Sequence, residues 1–290
     1  MISCTSVTGV ALELPNGCEL SMKQDTTIGF LGYGNMGQAI ANGLMQAGTV
    51  KPKQLAAYDV DAAKLNELQT LGGSTVTSIA DLANQAQVLV LATKPQDMDA
   101  ALETLQAAAT SATLYISIAA GLSIAYFQER LGTDARIIRV MPNMPAMVSA
   151  GASGIALSDT CTDEDGCIAD AIFGAIGISE RVSEHELDAV TALSGSGPAY
   201  YFYLVECFVR AGTMLGLSEE KATRLAAQTL YGTGLLLKES DESPAELRER
   251  VTSKGGTTYA ALESFRAHGL EDTVYTAMKA AADRSKELGK

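Results

Sequence analysis

A glycine-rich turn between an apolar run and a helical stretch is the feature that most constrains this fold. The segment "TTIGFLGYGNMGQAI" places Gly32, Gly34 and Gly37 in the pattern G-x-G-x-x-G. The first glycine allows a tight turn, the second lets a pyrophosphate approach the backbone, and the third lets the helix pack closely on the strand. We therefore favour a dinucleotide site over a tight turn without a ligand.

Short apolar runs alternate with amphipathic stretches through the first two thirds of the chain, which is typical of βαβ units and a mostly parallel sheet. The predicted strands are residues 27–31, 54–59, 88–92, 113–118 and 136–140, and the runs 154–157 and 177–182 predict edge strands. After Glu184 the apolar residues follow a helical period. We expect a disordered N-terminal extension (1–25), a dinucleotide-binding α/β domain (26–183) and an all-helical domain (184–290).

Charge and cysteine content limit the partners and the compartment. The formal net charge is −13 and no Lys/Arg-rich stripe reverses it locally, which argues against nucleic acid and membrane surfaces. No apolar run has the length of a membrane span. The five cysteines show no metal-binding spacing, so we expect free thiols in a reducing cytoplasm and no metal site.

Five further residues, in three segments, are candidates for cofactor contacts. Asp59 ends the second predicted strand, where a carboxylate can accept hydrogen bonds from a ribose 2′-OH, which favours NADH over NADPH; alternatively it caps the next helix. Thr93, Lys94 and Pro95 follow the strand 88–92 and should line the cofactor cleft, although a plain turn is the alternative. Asn143, between two prolines, could contact the nicotinamide or form a structural turn.

A second glycine-rich helix start, "VTSKGGTTYAAL", lies near the C-terminal end of the sequence. Unpaired backbone N–H groups and glycines can hold an anion at such a place. An ordinary helix cap by Ser253 or Thr257 is the commoner use of these residue types. On this stretch alone both interpretations stay open, with the cap favoured.

The scarcity of histidine bears weakly on the reaction. A ketone reductase must protonate an alkoxide, usually with a positioned His, Tyr or Lys. The only histidines, His185 and His268, lie in predicted helix ends. Reduction of an iminium yields a neutral amine and needs mainly orientation, so an imine substrate is compatible with this sequence.

Five segments together resemble pyrroline-5-carboxylate reductase: "IGFLGYGNMG", "TKPQ", "RVMPNMPAMVSAG", "VTALSGSGPAY" and "ELRERVTSKGGTTYAAL". The resemblance runs in order from about residue 26 to the C-terminus. It implies a Rossmann-type doubly wound domain followed by a helical dimerisation domain, with NADPH or NADH reducing a cyclic imino acid to L-proline. It also implies a homodimer, often assembled into a decamer, whose active sites use both subunits.

The same resemblance assigns roles to matching positions. The substrate carboxylate would be held by a loop comprising Ser253, Gly255, Gly256, Thr257 and Thr258. Thr258 would also hydrogen-bond the ring nitrogen, which makes it the candidate catalytic residue. Asn35 and Met36 would lie against the cofactor pyrophosphate, and residues 190–198 would support the site.

The sequence departs from the family pattern at three places, of which Gly37 in place of a frequent alanine is harmless for dinucleotide binding. Lys254 stands where proline is common, and we hypothesise that its ammonium attracts the carboxylate; an unchanged substrate KM in Lys254→Pro would reject this. Met144 replaces a common threonine, which removes a hydroxyl contact there.

Two other functions compete with the reductase. A 3-hydroxyacid dehydrogenase of similar architecture would need a catalytic lysine or histidine, for which only Lys221 and Lys238 are available between Glu184 and the substrate loop. A non-catalytic NAD(P)H sensor could have lost the Gly-Gly-Thr-Thr that this chain retains. Helical segments 197–214 and 221–237 are apolar around much of their circumference, which predicts a homodimer.

Overall fold

The structure of the protein, a computed structural model, describes residues 26–108 and 113–289. The predicted extension, residues 1–25, lies outside the described residues. The described chain forms two compact units, of which the second is Ser196–Ala281. The first unit comprises the residues before Ser196 together with the C-terminal stretch from Ala282. The domain boundary proposed after residue 183 stays a prediction.

The first unit contains an eight-stranded sheet with the order β3-β2-β1-β4-β5-β6-β7-β8. Strands β1 to β6 pair in parallel, β7 runs antiparallel to β6, and β8 is parallel to β7. The strands are β1 (Ile28–Leu31), β2 (Leu55–Tyr58), β3 (Ser74–Thr75), β4 (Val88–Leu91), β5 (Leu114–Ser117), β6 (Arg136–Met141), β7 (Gly151–Leu157) and β8 (Gly177–Arg181).

Helices cover both faces of this sheet. They are α1 (Asn35–Gln46), α2 (Asn66–Thr70), α3 (Ile79–Gln85), α4 (Met98–Ala108), α5 (Ile124–Leu131), α6 (Asp163–Gly174) and α7 (Leu187–Val190). One buried cluster joins α1, α2 and α6 to the sheet, and a second joins α3, α4 and α5 to the other face. The predicted doubly wound α/β architecture is confirmed.

The strand order places the expected ligand crevice. Because β1 lies between β2 and β4, the chain leaves β1 toward one side of the sheet and β4 continues toward the other. Open α/β sheets bind ligands outside the carboxyl ends of the strands at such a switch point. The loops after β1 and β4 therefore border the candidate site.

The second unit is helical. Its helices are α8 (Gly197–Met214), α9 (Glu219–Glu239), α10 (Pro244–Arg250), α11 (Thr257–Ala267) and most of α12 (Leu270–Leu288). Large apolar side chains remain exposed on α8 and α9, including Phe202, Phe208, Tyr231 and Leu236 at 54%, 54%, 65% and 55% exposure. The described chain has no helix that is both long enough and apolar enough to cross a membrane.

The predicted strands are all present, with ends shifted by at most three residues. The short β3 was not predicted, because Ser74 and Thr75 form no apolar run. The prediction of 154–157 as an edge strand is wrong, since β8 pairs outside β7. Cys161 and Cys207 are free thiols, but Cys167 is disulfide-bonded, so the expectation of a free thiol is wrong for Cys167.

Candidate active site

The three glycines after β1 have different surroundings. Gly32 has a φ of +93°, and a Cβ built there would lie 2.8 Å from the Ala92 carbonyl oxygen and 2.9 Å from the Thr93 nitrogen. At Gly37 a Cβ would lie 2.9 Å from the Gly32 oxygen, whereas nothing lies within 4 Å of a Cβ at Gly34. Gly32 and Gly37 thus permit close backbone packing, and Gly34 leaves open space beside the turn.

Helix α1 begins at this turn without a side-chain cap. Gly34 is its N-cap residue and has no side chain that could cap the helix. The first backbone N–H groups of α1 are therefore available to a ligand. Asn35 is exposed and Met36 is half-buried. An open glycine, free N–H groups and the positive end of the helix dipole fit a pyrophosphate.

Asp59 connects the end of β2 to the glycine turn. Its Oδ2 accepts from the Tyr33 N–H at 2.7 Å, and its Oδ1 accepts from the Asp61 N–H at 2.9 Å and from Nζ of Lys64 at 3.1 Å. Burial raises the pKa of the Asp59 carboxyl, but hydrogen bonds from the backbone and the ammonium outweigh this, so the pKa lies below its ordinary value. Asp59 is therefore an ionised clamp, and the capping residue of the next helical turn is Asp61.

The loop after β4 lies against the glycine turn. The backbone of Thr93 borders Gly32, and the Thr93 hydroxyl donates to Sδ of Met98 at 3.5 Å. Lys94 and Pro95 are exposed, and a 3-10 turn begins at Pro95. This brings Thr93 into the switch-point region that the sequence predicted for it, while the role of Lys94 stays a prediction.

Asn143 cross-links two segments after β6. Its Nδ2 donates to the Ser194 carbonyl oxygen at 3.1 Å, and its Oδ1 accepts from the Ala152 N–H at 2.9 Å. Asn143 as a whole residue is only 9% exposed. Both ends of the amide are occupied, which favours the structural alternative over a nicotinamide contact.

The partner of Asn143 belongs to a feature that sequence reasoning missed. Residues Thr191–Gly195 form a π-helix between α7 and α8. A Cβ on Gly195 would lie 2.5 Å from Cε of Met141, so this turn packs directly on the end of β6. Single π-turns occur frequently at functional sites, but no local pattern in "TALSG" predicts one.

The loop 251–258 resembles the start of α1. Gly255 has a φ of +73°, and Gly256 is the N-cap of α11 without a side-chain capping bond. A Cβ on Gly256 would contact Oγ of Ser253 and lie 3.1 Å from the Ser253 carbonyl oxygen, so a side chain there would displace the Ser253 hydroxyl. Thr258 is half-buried and Thr257 is exposed. Neither Ser253 nor Thr257 caps α11, so the capping alternative is wrong and the N–H groups remain available.

The residues invoked by other reactions lie at exposed positions. Nδ1 of His268 lies 2.7 Å from the Ser264 carbonyl oxygen at the end of α11, and His185 lies in the 3-10 turn Glu184–Glu186. Lys221 and Lys238 lie near the two ends of α9 and are exposed. In the part of the chain that the structure describes, no group of three His, Cys, Asp or Glu residues could hold a metal ion.

Two family models match the sequence. One, described as pyrroline-5-carboxylate reductase dimerisation, matches residues 184–288. The other, described as NADP oxidoreductase coenzyme F420-dependent, matches residues 27–121. The pyrroline-5-carboxylate reductase of Methanosarcina acetivorans is 40% identical over 268 residues, which cover 92% of this chain and 99% of that protein.

Solved structures agree in fold along nearly the whole chain. A pyrroline-5-carboxylate reductase from Coxiella burnetii superposes with a TM-score of 0.88 at 35% identity, covering 92% of this chain and 99% of that one. The Plasmodium falciparum pyrroline carboxylate reductase with NADP bound has a TM-score of 0.82 at 32% identity, with coverages of 92% and 99%.

Proposed function

This chain belongs to the pyrroline-5-carboxylate reductase family, and we propose that it reduces 1-pyrroline-5-carboxylate to L-proline with a hydride from NAD(P)H. This is the last step of proline biosynthesis. The observation that carries the proposal is a pair of helix starts. Helices α1 and α11 begin on glycines without side-chain caps, whereas Ser123, Thr162 and Ser218 cap α5, α6 and α9.

The cofactor would occupy the crevice at the carboxyl ends of β1 and β4. Gly34 and the first N–H groups of α1, at Asn35 and Met36, would hold the pyrophosphate. Asp59 would lie beside the adenosine ribose, and Thr93, Lys94 and Pro95 would border the crevice. The bound dihydronicotinamide supplies the hydride for the reaction.

The substrate carboxylate would be held at the start of α11. Backbone N–H groups at a helix N-terminus are donors with a favourable dipole for an anion. The hydroxyls of Ser253 and Thr257 would add hydrogen bonds, and the positive φ of Gly255 shapes the turn that presents them. Thr258 is a half-buried residue, and its hydroxyl would hydrogen-bond the ring nitrogen.

The chemistry asks little acid or base work of the protein. The protonated imine already carries a positive charge, and its reduction gives a neutral amine. The residues of this chain would mainly hold the imine carbon at reacting distance and exclude alternative orientations. Thr258 would orient the nitrogen, which explains why neither histidine needs to lie in the site.

Self-association follows from the family and from the exposed apolar side chains of α8 and α9. A covered interface of this kind removes such side chains from water. We propose a homodimer as the working unit, a decamer as a further assembly, and the cytoplasm as its location. The helical dimerisation domain would begin at residue 184.

The proposal is tested by initial rates of NADH and NADPH oxidation with purified protein. The substrates are 1-pyrroline-5-carboxylate, 1-piperideine-6-carboxylate and a 3-keto acid. We expect turnover of the five-membered imine with L-proline as product. Turnover of the keto acid alone would favour the hydroxyacid dehydrogenase, and cofactor binding without turnover of any substrate would favour the sensor.

A further inference from the structure

An ion pair lies where the adenosine ribose of a dinucleotide is expected, at the carboxyl end of β2. Nζ of Lys64 is 3.1 Å from Oδ1 of Asp59, and the two side chains are 41% and 7% exposed. The carboxylate is thus nearly covered, while the ammonium faces solvent. A ligand that approaches this end of the sheet meets the cation of the pair first.

The carboxylate has little capacity left for a ribose. An ionised carboxylate has about four lone-pair sites. Three are used by the Tyr33 N–H, the Asp61 N–H and the Lys64 ammonium. Asp59 can therefore accept at most one ribose hydroxyl while the pair is intact, and the ammonium offsets its negative charge.

The other carboxylates of this segment have local partners. Asp61 Oδ1 accepts from the Ala63 N–H at 3.1 Å, and Glu67 Oε1 lies 3.5 Å from Nδ2 of Asn42. Lys64 is the only basic residue between Asp59 and Thr70 in the sequence. It is the cation that this segment can offer to a phosphate.

We propose that Lys64 turns from Asp59 to the 2′-phosphate when NADPH binds, so that this one side chain supplies the part of the NADPH affinity that NADH does not use. An ammonium–phosphate hydrogen bond is charge-assisted and does not require Asp59 to move from the glycine turn. The expectation that Asp59 favours NADH over NADPH considers the carboxylate without its partner. This inference rests on the dinucleotide site of the proposed function.

Isothermal titration of the full chain with NADPH and with NADH, without imine, tests the proposal. Lys64→Met should weaken NADPH binding about tenfold, because a charge-assisted hydrogen bond to the 2′-phosphate is lost. The affinity for NADH should fall by no more than about twofold, or should increase, because NADH has no 2′-phosphate. Lys64→Arg should retain most of the NADPH affinity. The matched control is Lys53→Met, an exposed lysine before β2 at the opposite end of the strand, which should change neither affinity.

Other results would overturn the proposal. One is that Lys64→Met loses affinity for NADPH and NADH equally, and another is that its affinity for NADPH is unchanged. A third is that Lys53→Met loses as much NADPH affinity as Lys64→Met does. Because no imine is present, these outcomes are separate from failure of the proposed reaction, which shows as cofactor binding without turnover. Failure of the unmodified protein to bind either cofactor would overturn the dinucleotide site and this proposal with it.

Discussion

The Asn143 side chain donates to the Ser194 carbonyl oxygen at 3.1 Å, which ties the loop after β6 to the π-helix Thr191–Gly195. Asn143→Asp keeps the acceptor for Ala152 but places a carboxylate against the Ser194 oxygen. We expect a loss of about 1–3 kcal/mol in unfolding free energy, since a half-buried acceptor loses its donor and faces a carboxylate. Urea denaturation measures this loss.

A nicotinamide contact by Asn143 would give a different binding result. Affinities of Asn143→Asp for NADH and for ADP-ribose, which lacks nicotinamide, separate the two roles. We expect both affinities to change by less than about threefold, which is below 1 kcal/mol. A selective loss of NADH affinity would assign Asn143 to the cofactor.

Gly32 and Gly34 should respond differently to alanine. Gly32→Ala forces a left-handed φ and a contact of 2.8 Å with the Ala92 backbone, so we expect the fold to lose stability. Gly34→Ala meets open space and should leave thermal stability nearly unchanged. A methyl group there would instead obstruct the pyrophosphate, and NADH affinity should fall about tenfold, or 1.4 kcal/mol. An unchanged NADH affinity in Gly34→Ala would contradict this placement.

The Asp59 clamp predicts a pH dependence of stability. Because its folded pKa lies below the ordinary value, ionised Asp59 stabilises the fold above the unfolded pKa, and this contribution disappears as pH falls through the folded pKa. Asp59→Asn should therefore be less stable than the unmodified protein above about pH 5, with a gap that narrows below about pH 4. Unfolding free energies from pH 3 to 7 test this. A gap independent of pH would show that the charge of Asp59 contributes nothing.

Thr258 is expected to contribute to the reaction rather than to the fold. Thr258→Ala should lower kcat/KM by an amount that corresponds to about 1–3 kcal/mol of lost transition-state stabilisation. This is the usual cost of losing a polar partner. Thr258→Ser keeps the hydroxyl and should retain most activity. Thr273→Ala is a control, since the Thr273 hydroxyl donates to the Gly269 carbonyl oxygen at the start of α12. Unchanged kcat/KM in Thr258→Ala would remove this residue from the mechanism.

Sequence patterns correctly predicted the strands and turns that depend on residues close together in the sequence. The apolar runs of β1, β4 and β5 and the glycine spacing after β1 depend on neighbours in sequence, and these features are present in the structure. The short β3 was missed because it has no apolar run of its own. It is a strand because the fold places it beside β2, with which it pairs.

The site features that escaped prediction depend on residues distant in sequence. Asn143 finds Ser194 fifty-one positions away, and Asp59 finds the Tyr33 N–H twenty-six positions away. Sequence alone cannot show that Lys64, rather than solvent, faces Asp59. The capping residue of α11 is a local feature that was also missed, because the residue types favoured a Ser or Thr cap where the structure has Gly256.

Recognition of the substrate carboxylate at the start of α11 is tested by comparing kcat/KM for 1-pyrroline-5-carboxylate with kcat/KM for 1-pyrroline, which lacks the carboxylate. One charge-assisted hydrogen bond contributes about 1.5–3 kcal/mol, and the start of α11 offers more than one donor, so we predict a preference of about 100-fold or more for the carboxylated imine. Equal kcat/KM for the two imines would contradict a carboxylate site at the start of α11.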